Sequence, residues 1–210
     1  MGEDRSAQRS IGQQHRSRER VEDVLRAAEA LVAAQGYDGL KMRELARAAG
    51  LPIASLYHYF PSATAVMRTL AERFLASLRA VLTEALEAEL PPALAPQDAP
   101  EAVGRTVRRV AVFLRQAPAG AAIWDALRAV PDLRALDMAD TEETARLIEP
   151  FLARAASGLP PETRADFALV FLEAVQSNLL GMVRAAPDRQ EALTEATVVL
   201  AVAVLAGLPH

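Results

Sequence analysis

Residues 50–60 of the chain read GLPIASLYHYF, and residues 42–49, just before them, read MRELARAA. Each stretch has the spacing of a short helix, and Gly50 separates the two. Ala46, Gly50 and Leu56 stand where a helix-turn-helix needs a small residue, a turn glycine and a buried apolar side chain. The spacing therefore predicts two helices joined by a tight corner, the second of them suited to a groove of DNA.

The segment before this motif divides into an arm and a first helix. Residues 1–17 lack periodicity and are rich in Arg, Gln, Ser and Gly, which predicts a flexible arm. From about Arg18 to Gln35, apolar residues at helical spacing predict the first helix, and Gly36 suits its C-terminal cap. The arm is either a solvated tail or a source of contacts to a phosphate backbone or a minor groove. The arginines available for such contacts are Arg5, Arg9, Arg16, Arg18 and Arg20.

The motif and its flanks resemble the TetR family of transcriptional repressors. Residues 56–62, LYHYFPS, repeat the aromatic-rich ending and the Ser-containing turn that precede a long fourth helix in that family. Gly36-Tyr37 matches the loop after the first helix, and the sequences RELA and AAGL match the second helix and the turn. The resemblance covers roughly residues 18–70, and beyond them it is one of architecture only.

The resemblance implies an all-α fold with a helix-turn-helix DNA-binding domain at residues 18–62 and a helical ligand-binding and dimerisation domain at residues 63–210. Three residues depart from the family pattern. Lys41 stands where Ser or Thr is common, so the second helix loses a cap and gains a candidate phosphate contact. Ala63 stands where a Lys often donates to a phosphate. Ile53 replaces a basic or polar residue and can instead touch a thymine methyl group.

The predicted DNA contacts lie on or beside the third helix. Ser55 can hydrogen-bond a base edge or a phosphate, and the resemblance favours the same role for Tyr57 and His58. The alternative is that aromatic side chains only pack this helix onto its neighbours, which is our interpretation of Tyr59 and Phe60. The predicted DNA-binding residues are Lys41, Arg43, Pro52, Ile53, Ala54, Ser55, Tyr57 and His58. One such helix spans few bases, so we expect a homodimer on a palindromic operator of double-stranded DNA.

Composition limits the class of protein. The chain of 210 residues is 51% hydrophobic and only 5% aromatic, which favours packed helices over strands. It has no cysteine, its longest apolar run (residues 196–206) is too short to span a bilayer, and its N-terminus lacks a secretory signal, so we predict a soluble cytoplasmic protein without a membrane partner. The net charge is −4, but residues 1–60 carry nine Lys and Arg against eight Asp and Glu. Phosphate contacts should therefore come from the first quarter of the chain.

Downstream of Ser62, which can cap a long fourth helix, helical segments alternate with breaks rich in Pro and Gly. About nine helices are expected in all, with Thr141 capping the seventh and Pro150 kinking it. The later helices are predicted at about residues 101–116, 121–129, 141–156, 162–186 and 189–206. Helices four to eight should surround a cavity for a hydrophobic or amphipathic small molecule, as in the resembled family. Its candidate lining residues, each of which is otherwise plain core, are Phe74, Phe113, Gln116, Trp124, Met138, Phe151, Phe171, Asn178 and Met182.

The last two helices form a hairpin that offers a dimer surface. Small residues on one face of the eighth helix permit close approach of a second backbone, and the ninth carries an apolar stripe. The alternative is that both faces are buried within one chain. The predicted interface residues are Ala174, Ser177, Gly181, Ala185, Leu193, Leu200 and Val204.

These features predict a ligand-responsive, homodimeric transcriptional regulator, most simply a repressor released by its effector. The alternative is a helical ligand-binding or interaction protein whose DNA binding has weakened, as Ala63 and Ile53 would allow. An enzyme is not expected, because there is no Cys nucleophile, no glycine-rich phosphate loop and no metal-ligand spacing among the three histidines. No cofactor and no metal are therefore predicted.

Overall fold

The computed structural model describes the backbone of residues 3–155 and 158–208, and side chains from residue 15 onward within those ranges. These residues form nine α-helices and no β-strand, which confirms the all-α prediction. The helices are α1 Glu3–Gln35, α2 Met42–Ala48, α3 Ile53–Tyr59, α4 Ala63–Glu89, α5 Ala99–Gln116, α6 Gly120–Ala129, α7 Pro131–Ala155, α8 Pro161–Arg184 and α9 Pro187–Ala206.

Helix α1 begins at Glu3, so the prediction of a helix start near residue 17 is wrong. Arg, Gln and Ser make up nine of residues 3–17, which contain no proline and only Gly12 as a glycine, and Arg and Gln favour helix by their own propensity. The missing apolar periodicity therefore did not mark the end of the helix. The side chains of Arg5 and Arg9 lie outside the described residues. Those of Arg16, Arg18 and Arg20 are not buried.

The corner between α2 and α3 is formed as the spacing predicts. Gly50 has φ +65°, in the left-handed region that favours glycine. The Leu51 amide donates to the Ala46 carbonyl (2.9 Å) and the Gly50 amide to the Arg47 carbonyl (3.2 Å), the two hydrogen bonds of a Schellman cap. Leu56 is fully buried on the other side of the corner, so the direction of α3 is fixed by its own core residue.

Helix α4 connects the first three helices to the rest of the molecule. Its N-terminus is capped as predicted, because the Ala65 amide donates to Ser62 Oγ at 3.1 Å. The hydroxyl oxygens of Tyr37 and Thr64 lie 2.9 Å apart, and Arg73 donates to both carboxylate oxygens of Glu22 at 2.6 Å. These contacts join α4 to the loop after α1 and to α1 itself. The same helix then continues into the core of the C-terminal helices.

Two boundaries in the C-terminal part differ from the sequence prediction. Helix α7 begins at Pro131 instead of Thr141, because proline suits a first helical turn and no break follows it. Thr141 is therefore an interior residue and not a cap. Pro150 lies inside α7, as expected. Helix α5 begins at Ala99, two residues before the predicted start, with Pro100 in its first turn.

Helices α8 and α9 form the predicted hairpin. Helix α9 packs against α5, where Arg108 donates through Nε and Nη2 to the two carboxylate oxygens of Glu195 at 2.7 Å. Helix α8 is long and apolar enough to cross a membrane, with a mean hydropathy of 1.3 in its best window, of which 28% is buried inside the chain. The sequence prediction had considered only the apolar run at residues 196–206. Core helices of soluble proteins reach the same length and hydropathy.

Candidate nucleic-acid interface and ligand cavity

The outward face of α3 carries the side chains predicted to contact DNA. Ile53 is 39% exposed and Tyr57 51% exposed, and His58 is also exposed. The amides of Ser55 and Leu56 both donate to the Pro52 carbonyl, at 2.9 and 3.1 Å, so the first turn is held without a side-chain cap. The other predicted residues of the helix lie in this first turn, with Pro52 and Ala54 exposed and Ser55 half-buried.

The remaining aromatic residues of the motif pack α3 onto the core. Phe60 is 7% exposed and belongs to the buried core, and Tyr59 is half-buried against it. The rings of His58 and Tyr59 meet edge to face with centroids 5.4 Å apart. Packing by Tyr59 and Phe60 therefore orients the helix so that Tyr57 and His58 face outward.

Two cations flank this face at the start of α2. Lys41 is the N-cap residue, with an extended backbone (φ −100°, ψ 133°) and no side-chain hydrogen bond to the helix, as its chemistry predicts. Among the side chains that the structure describes, no carboxylate forms an ion pair with Lys41 or Arg43. By contrast, Arg47 pairs with Glu44 on the same helix at 3.2 Å. Lys41 and Arg43 can therefore neutralise phosphates without first breaking an ion pair.

A cavity of about 80 Å³ lies among the C-terminal helices. Of the nine predicted lining residues, Trp124, Phe151 and Phe171 are on its wall, which also includes the hydrophobic stripe of α4 (Leu75, Leu78, Leu82, Leu86) and valines of α5. Helices α4 to α8 all contribute to this wall, as the resemblance implies. The volume is smaller than the roughly 300–1,000 Å³ of typical ligand pockets, so a drug-sized molecule requires the helices to move apart.

Three predicted lining residues lie instead around a separate cleft of about 420 Å³ between α1, α4 and the α5–α6 turn: Phe74, Phe113 and Gln116. Phe74 stacks on Phe113 (centroids 6.2 Å apart) and meets the edge of Trp124 (5.8 Å). It therefore separates the cleft from the cavity. The Glu22–Arg73 ion pair also lies on the wall of this cleft, and the hydrogen bonds from Arg73 lower the pKa of the Glu22 carboxyl.

The other three predicted lining residues are on neither wall. Met138 is 58% exposed, and Asn178 is exposed, where its side-chain amide donates to the Ala174 carbonyl at 2.7 Å. Met182 is fully buried core. Because α7 turns Asp140, Thr144 and Ile148 inward, Met138 faces away from the cavity.

The cavity contains an ion pair that the sequence reasoning missed. Arg79 on α4 pairs with Asp140 on α7, and Asp140 is only 7% exposed. A second carboxylate oxygen, Oε1 of Glu143, lies 2.6 Å from Arg79 Nη1. The available signal was the position of Arg79 in the stripe Leu75, Leu78, Leu82 and Leu86, where a charged residue within an apolar helix face requires a buried partner.

The predicted dimer residues are distributed over α8 and α9. Ala174, Ser177 and Gly181 were predicted to share one face of α8, and a Cβ atom built on Gly181, which is exposed, would meet nothing within 4 Å. On α9, Leu200 is 44% and Val204 38% exposed. Ala185 and Leu193, near the turn between the helices, are half-buried within the chain.

The described part of the molecule offers no metal site. Within residues 3–155 and 158–208, no cluster of three or more His, Asp or Glu residues has the arrangement that a metal ion requires.

Comparison with known families matches both parts of the chain. Residues 24–70 match the model of bacterial regulatory proteins of the tetR family, and residues 98–205 match the tetracyclin repressor-like C-terminal domain. The second match alone spans just over half of the chain. The chain belongs to the TetR family. TetR proteins are DNA-binding transcriptional regulators and not enzymes, so the prediction of a DNA-binding regulator is confirmed at this level.

Solved TetR structures share the whole fold. The regulator PfmR from Thermus thermophilus is 22% identical, with a TM-score of 0.63 over 89% of this chain and 99% of that chain. A TetR-family regulatory protein from Rhodococcus RHA1 is 18% identical, with a TM-score of 0.67 over 91% and 98% of the two chains. A TetR-family regulator from Streptomyces coelicolor is 22% identical, with a TM-score of 0.62 over 90% and 99%. These matches establish the fold and not a shared ligand. No curated protein matches the sequence.

Proposed function

We propose that this TetR-family protein is a cytoplasmic repressor that leaves its operator when a small hydrophobic or amphipathic effector binds. The observation that carries the proposal is the outward face of α3, where Ile53 and Tyr57 are exposed while Leu56 anchors the helix. A face of small, polar and aromatic side chains on a buried anchor is suited to a major groove. The proposed domains remain 18–62 for DNA binding and 63–210 for ligand binding and dimerisation.

Palindromic operators require two such faces, and we propose that α8 and α9 provide the pairing. Val170 (67% exposed), Val199 (66%) and Leu200 (44%) leave apolar area in contact with water in a single chain. Two hairpins packed against each other bury these side chains in a four-helix bundle with two-fold symmetry. The distance between the two α3 helices is then set by how each chain holds α4 relative to the hairpin, since α4 packs on α5 and α5 packs on α9.

We propose that the effector enters the cavity between α4 and α8. Because the cavity holds only about 80 Å³, an effector moves α5, α6 or α7 relative to α4. Helix α4 transmits this shift, since it lines the cavity at Leu75 and Leu78 and is joined to α1 by the Arg73–Glu22 ion pair. The recognition helices then no longer match the half-sites, provided that the effector binds the released form more tightly.

One observation favours the second candidate, a helical ligand-binding protein with weakened DNA binding. Ala63 stands at the first position of α4, and it cannot donate to a phosphate as the Lys common in the family would. Lys41 and Arg43 remain as phosphate contacts, so the first proposal requires DNA binding that weakens steeply with salt. Salt-insensitive or absent binding to DNA flanking the protein's own gene would leave the second candidate.

Footprinting on that flanking DNA tests the proposal, with and without metabolites of neighbouring pathways. We expect a protected palindrome whose protection disappears with one of the metabolites. Protection that no metabolite changes would contradict effector release while leaving DNA binding intact. The absence of any protected sequence would contradict the repressor proposal itself.

A further inference from the structure

The cavity wall holds one guanidinium group in a fixed position. Arg79 extends from α4 to α7, where its Nη2 pairs with Asp140 and its Nη1 lies 2.6 Å from Glu143 Oε1. These two carboxylates are three residues apart on α7 and hold the two terminal nitrogens of the guanidinium. Its remaining nitrogen, Nε, is buried and has no hydrogen-bond partner in the described part of the chain. Native proteins rarely leave a buried N–H donor without an acceptor, because the group has lost water and gained nothing in exchange.

No group in the described part of the chain accepts a hydrogen bond from this donor, although Asp140, Thr144 and Gln176 also lie on the cavity wall. Most of the wall consists of Leu, Val, Ile and aromatic side chains. The Thr106 hydroxyl, also on the wall, donates to the Ala102 carbonyl at 3.1 Å, as a local contact within α5. Arg79 thus places an unused donor on a residue of a largely apolar wall, and such a donor can fix the position of a ligand once the wall moves to admit it.

The charges around Arg79 favour an uncharged ligand. The single positive charge of the guanidinium already faces two carboxylates, Asp140 and Glu143. An anionic ligand at Nε would approach the buried Asp140 carboxylate, which costs free energy, whereas the Glu143 carboxylate is exposed to solvent. A cationic ligand would be repelled by the guanidinium and offers no lone pair to accept its hydrogen. A neutral oxygen acceptor meets neither penalty.

We propose that the effector is a compact, uncharged, largely apolar molecule with one hydrogen-bond acceptor, such as a ketone, ester or ether oxygen, that binds Arg79 Nε. This inference rests on the proposed function only in taking the cavity as the effector site. A volume of about 80 Å³ admits a body of about one ring after a small expansion, since an engineered apolar cavity of roughly 150 Å³ holds benzene. An acceptor bound there touches the residue that links α4 to α7.

The test measures binding of three probes with similar bodies by isothermal titration calorimetry on the purified full-length protein. Acetophenone has a neutral acceptor, ethylbenzene has none, and benzoate has a carboxylate. We expect acetophenone to bind about tenfold more tightly than ethylbenzene, the difference that one hydrogen bond to a charged donor supplies, and benzoate to bind more weakly than acetophenone. Equal affinities for acetophenone and ethylbenzene, tighter binding of benzoate, or no binding of any probe at millimolar concentration would overturn the proposal.

Arg79→Lys isolates the donor. Lysine keeps the positive charge beside Asp140 but lacks an Nε–H in a guanidinium plane, so the preference for acetophenone should disappear. Arg115→Lys is the matched control, because Arg115 pairs with Glu191 at 2.9 Å and is absent from the cavity wall. Its preference should equal that of the unmodified protein. A preference that survives in Arg79→Lys would assign the acceptor to another group and overturn the proposal.

A measurement on the unmodified protein covers the case in which Arg79→Lys does not fold. The hydrogen-bonded Nε–H groups of Arg105, Arg108 and Arg164 serve as internal references, because they lie outside the cavity wall. In a ¹H–¹⁵N spectrum of arginine side chains, the Nε–H signal of Arg79 should exchange slowly with solvent, because this group is buried. Acetophenone should shift that signal and ethylbenzene should not. The assignment would be contradicted if neither probe shifts this signal, or if both probes shift it equally. Operator release by a metabolite with no dependence on Arg79 would leave the proposed function standing and remove only this inference.

Discussion

Lys41 shows how one residue can exchange stability for DNA affinity. Its backbone is extended, as an N-cap requires, yet its side chain makes no hydrogen bond to the free amides of α2. Replacing it with Ser supplies that acceptor, so Lys41→Ser should raise the free energy of unfolding by about 1 kcal/mol. The same change should weaken operator binding and reduce the slope of log K against log salt by about one, because a phosphate contact is lost.

Thermal unfolding and fluorescence anisotropy on operator DNA measure the two effects. Lys41→Ala is the matched control, since it removes the charge without adding a cap and should lose affinity with no gain in stability. Unchanged affinity and salt slope in both variants would show that Lys41 does not contact phosphate.

Asp137 on α7 gives the fold a pH dependence that mutation can reveal. Burial raises the pKa of this carboxyl, and Asp140 and Glu173 raise it further, while Arg128 opposes the shift. Because the folded pKa lies above the unfolded one, ionised Asp137 disfavours the folded state. The free energy of unfolding therefore decreases as the pH rises from the ordinary aspartate pKa through the raised pKa of Asp137 in the folded protein.

Asp137→Asn should therefore unfold at a higher temperature than the unmodified protein at pH 7. This difference should shrink as the pH falls towards the ordinary pKa of aspartate, where the Asp137 carboxyl becomes neutral in the folded protein. Thermal melts across this pH range measure the difference. A difference that is zero or negative at pH 7 would mean that the attraction to Arg128 outweighs burial.

Helix boundaries that one local signal marks were predictable, whereas boundaries with a competing signal or with none were not. Gly50 ends α2 and Ser62 caps α4 through contacts within a few residues, and both positions were correct from sequence. The start of α7 was misplaced because Thr141 offered a second plausible cap. The start of α1 was misplaced because residues 3–17 are helical although they lack the apolar periodicity that predicts a helix.

The prediction of the cavity was limited because its wall combines residues that lie far apart in the sequence. The lining residues were predicted from their side-chain chemistry and not from their position on a helix face. Trp124, Phe151 and Phe171 lie on the cavity wall, whereas Met138 faces solvent. Arg79 was missed because its partner Asp140 is 61 residues away along the chain. On α3 the family resemblance favoured DNA contact by Tyr57 and His58, and both side chains are exposed while Leu56 is buried.

A substitution at the N-terminus of α6 tests whether α4 transmits the shift caused by the effector to the DNA-binding helices. A Cβ atom on Gly120 would lie 3.0 Å from Phe74 Cε2 and 3.2 Å from Ala117 Cβ, so Gly120→Ala displaces Phe74, which lies between the cleft and Trp124. We expect the effector concentration for half-release of operator DNA to change severalfold, with operator affinity in the absence of effector changing less than about twofold, because overpacking costs about 1–3 kcal/mol at the site of the clash.

Gly104→Ala is the matched control, because its Cβ would be equally crowded, 3.1 Å from Val198 and Val202, but on α9 and not on Phe74. It should change thermal stability and leave the effector response unaltered. If both variants have equal effects on the release of operator DNA and on operator affinity, transmission of the shift through Phe74 on α4 is contradicted.

At the scale of the whole molecule, substitutions of Gly181 distinguish an effect on folding of the chain from an effect on dimerisation. It lies inside α8, where glycine costs about 1 kcal/mol relative to good helix formers, and a Cβ atom there meets nothing within 4 Å. Gly181→Leu should therefore leave the monomer folded and its helix content unchanged or higher. It should nevertheless raise the dimer dissociation constant at least about tenfold, because the larger side chain prevents close approach of the partner helix.

Sedimentation equilibrium measures the dissociation constant, and circular dichroism measures helix content. Gly181→Ala adds a single methyl group and should have a smaller effect on dimerisation. A Gly181→Leu protein that dimerises as tightly as the unmodified one would exclude α8 from the interface.

The proposed function depends most on contacts between α3 and DNA. The direct test is the affinity of the unmodified protein and of Tyr57→Ala/His58→Ala for the operator found by footprinting, with Arg134→Ala, an exposed residue of α7, as control. We expect the unmodified protein to bind the operator in a salt-dependent way. The double variant should bind at least about tenfold more weakly, while it retains the dimer and the melting temperature of the unmodified protein. Equal affinity of the double variant and the control would contradict the proposed contacts between α3 and DNA.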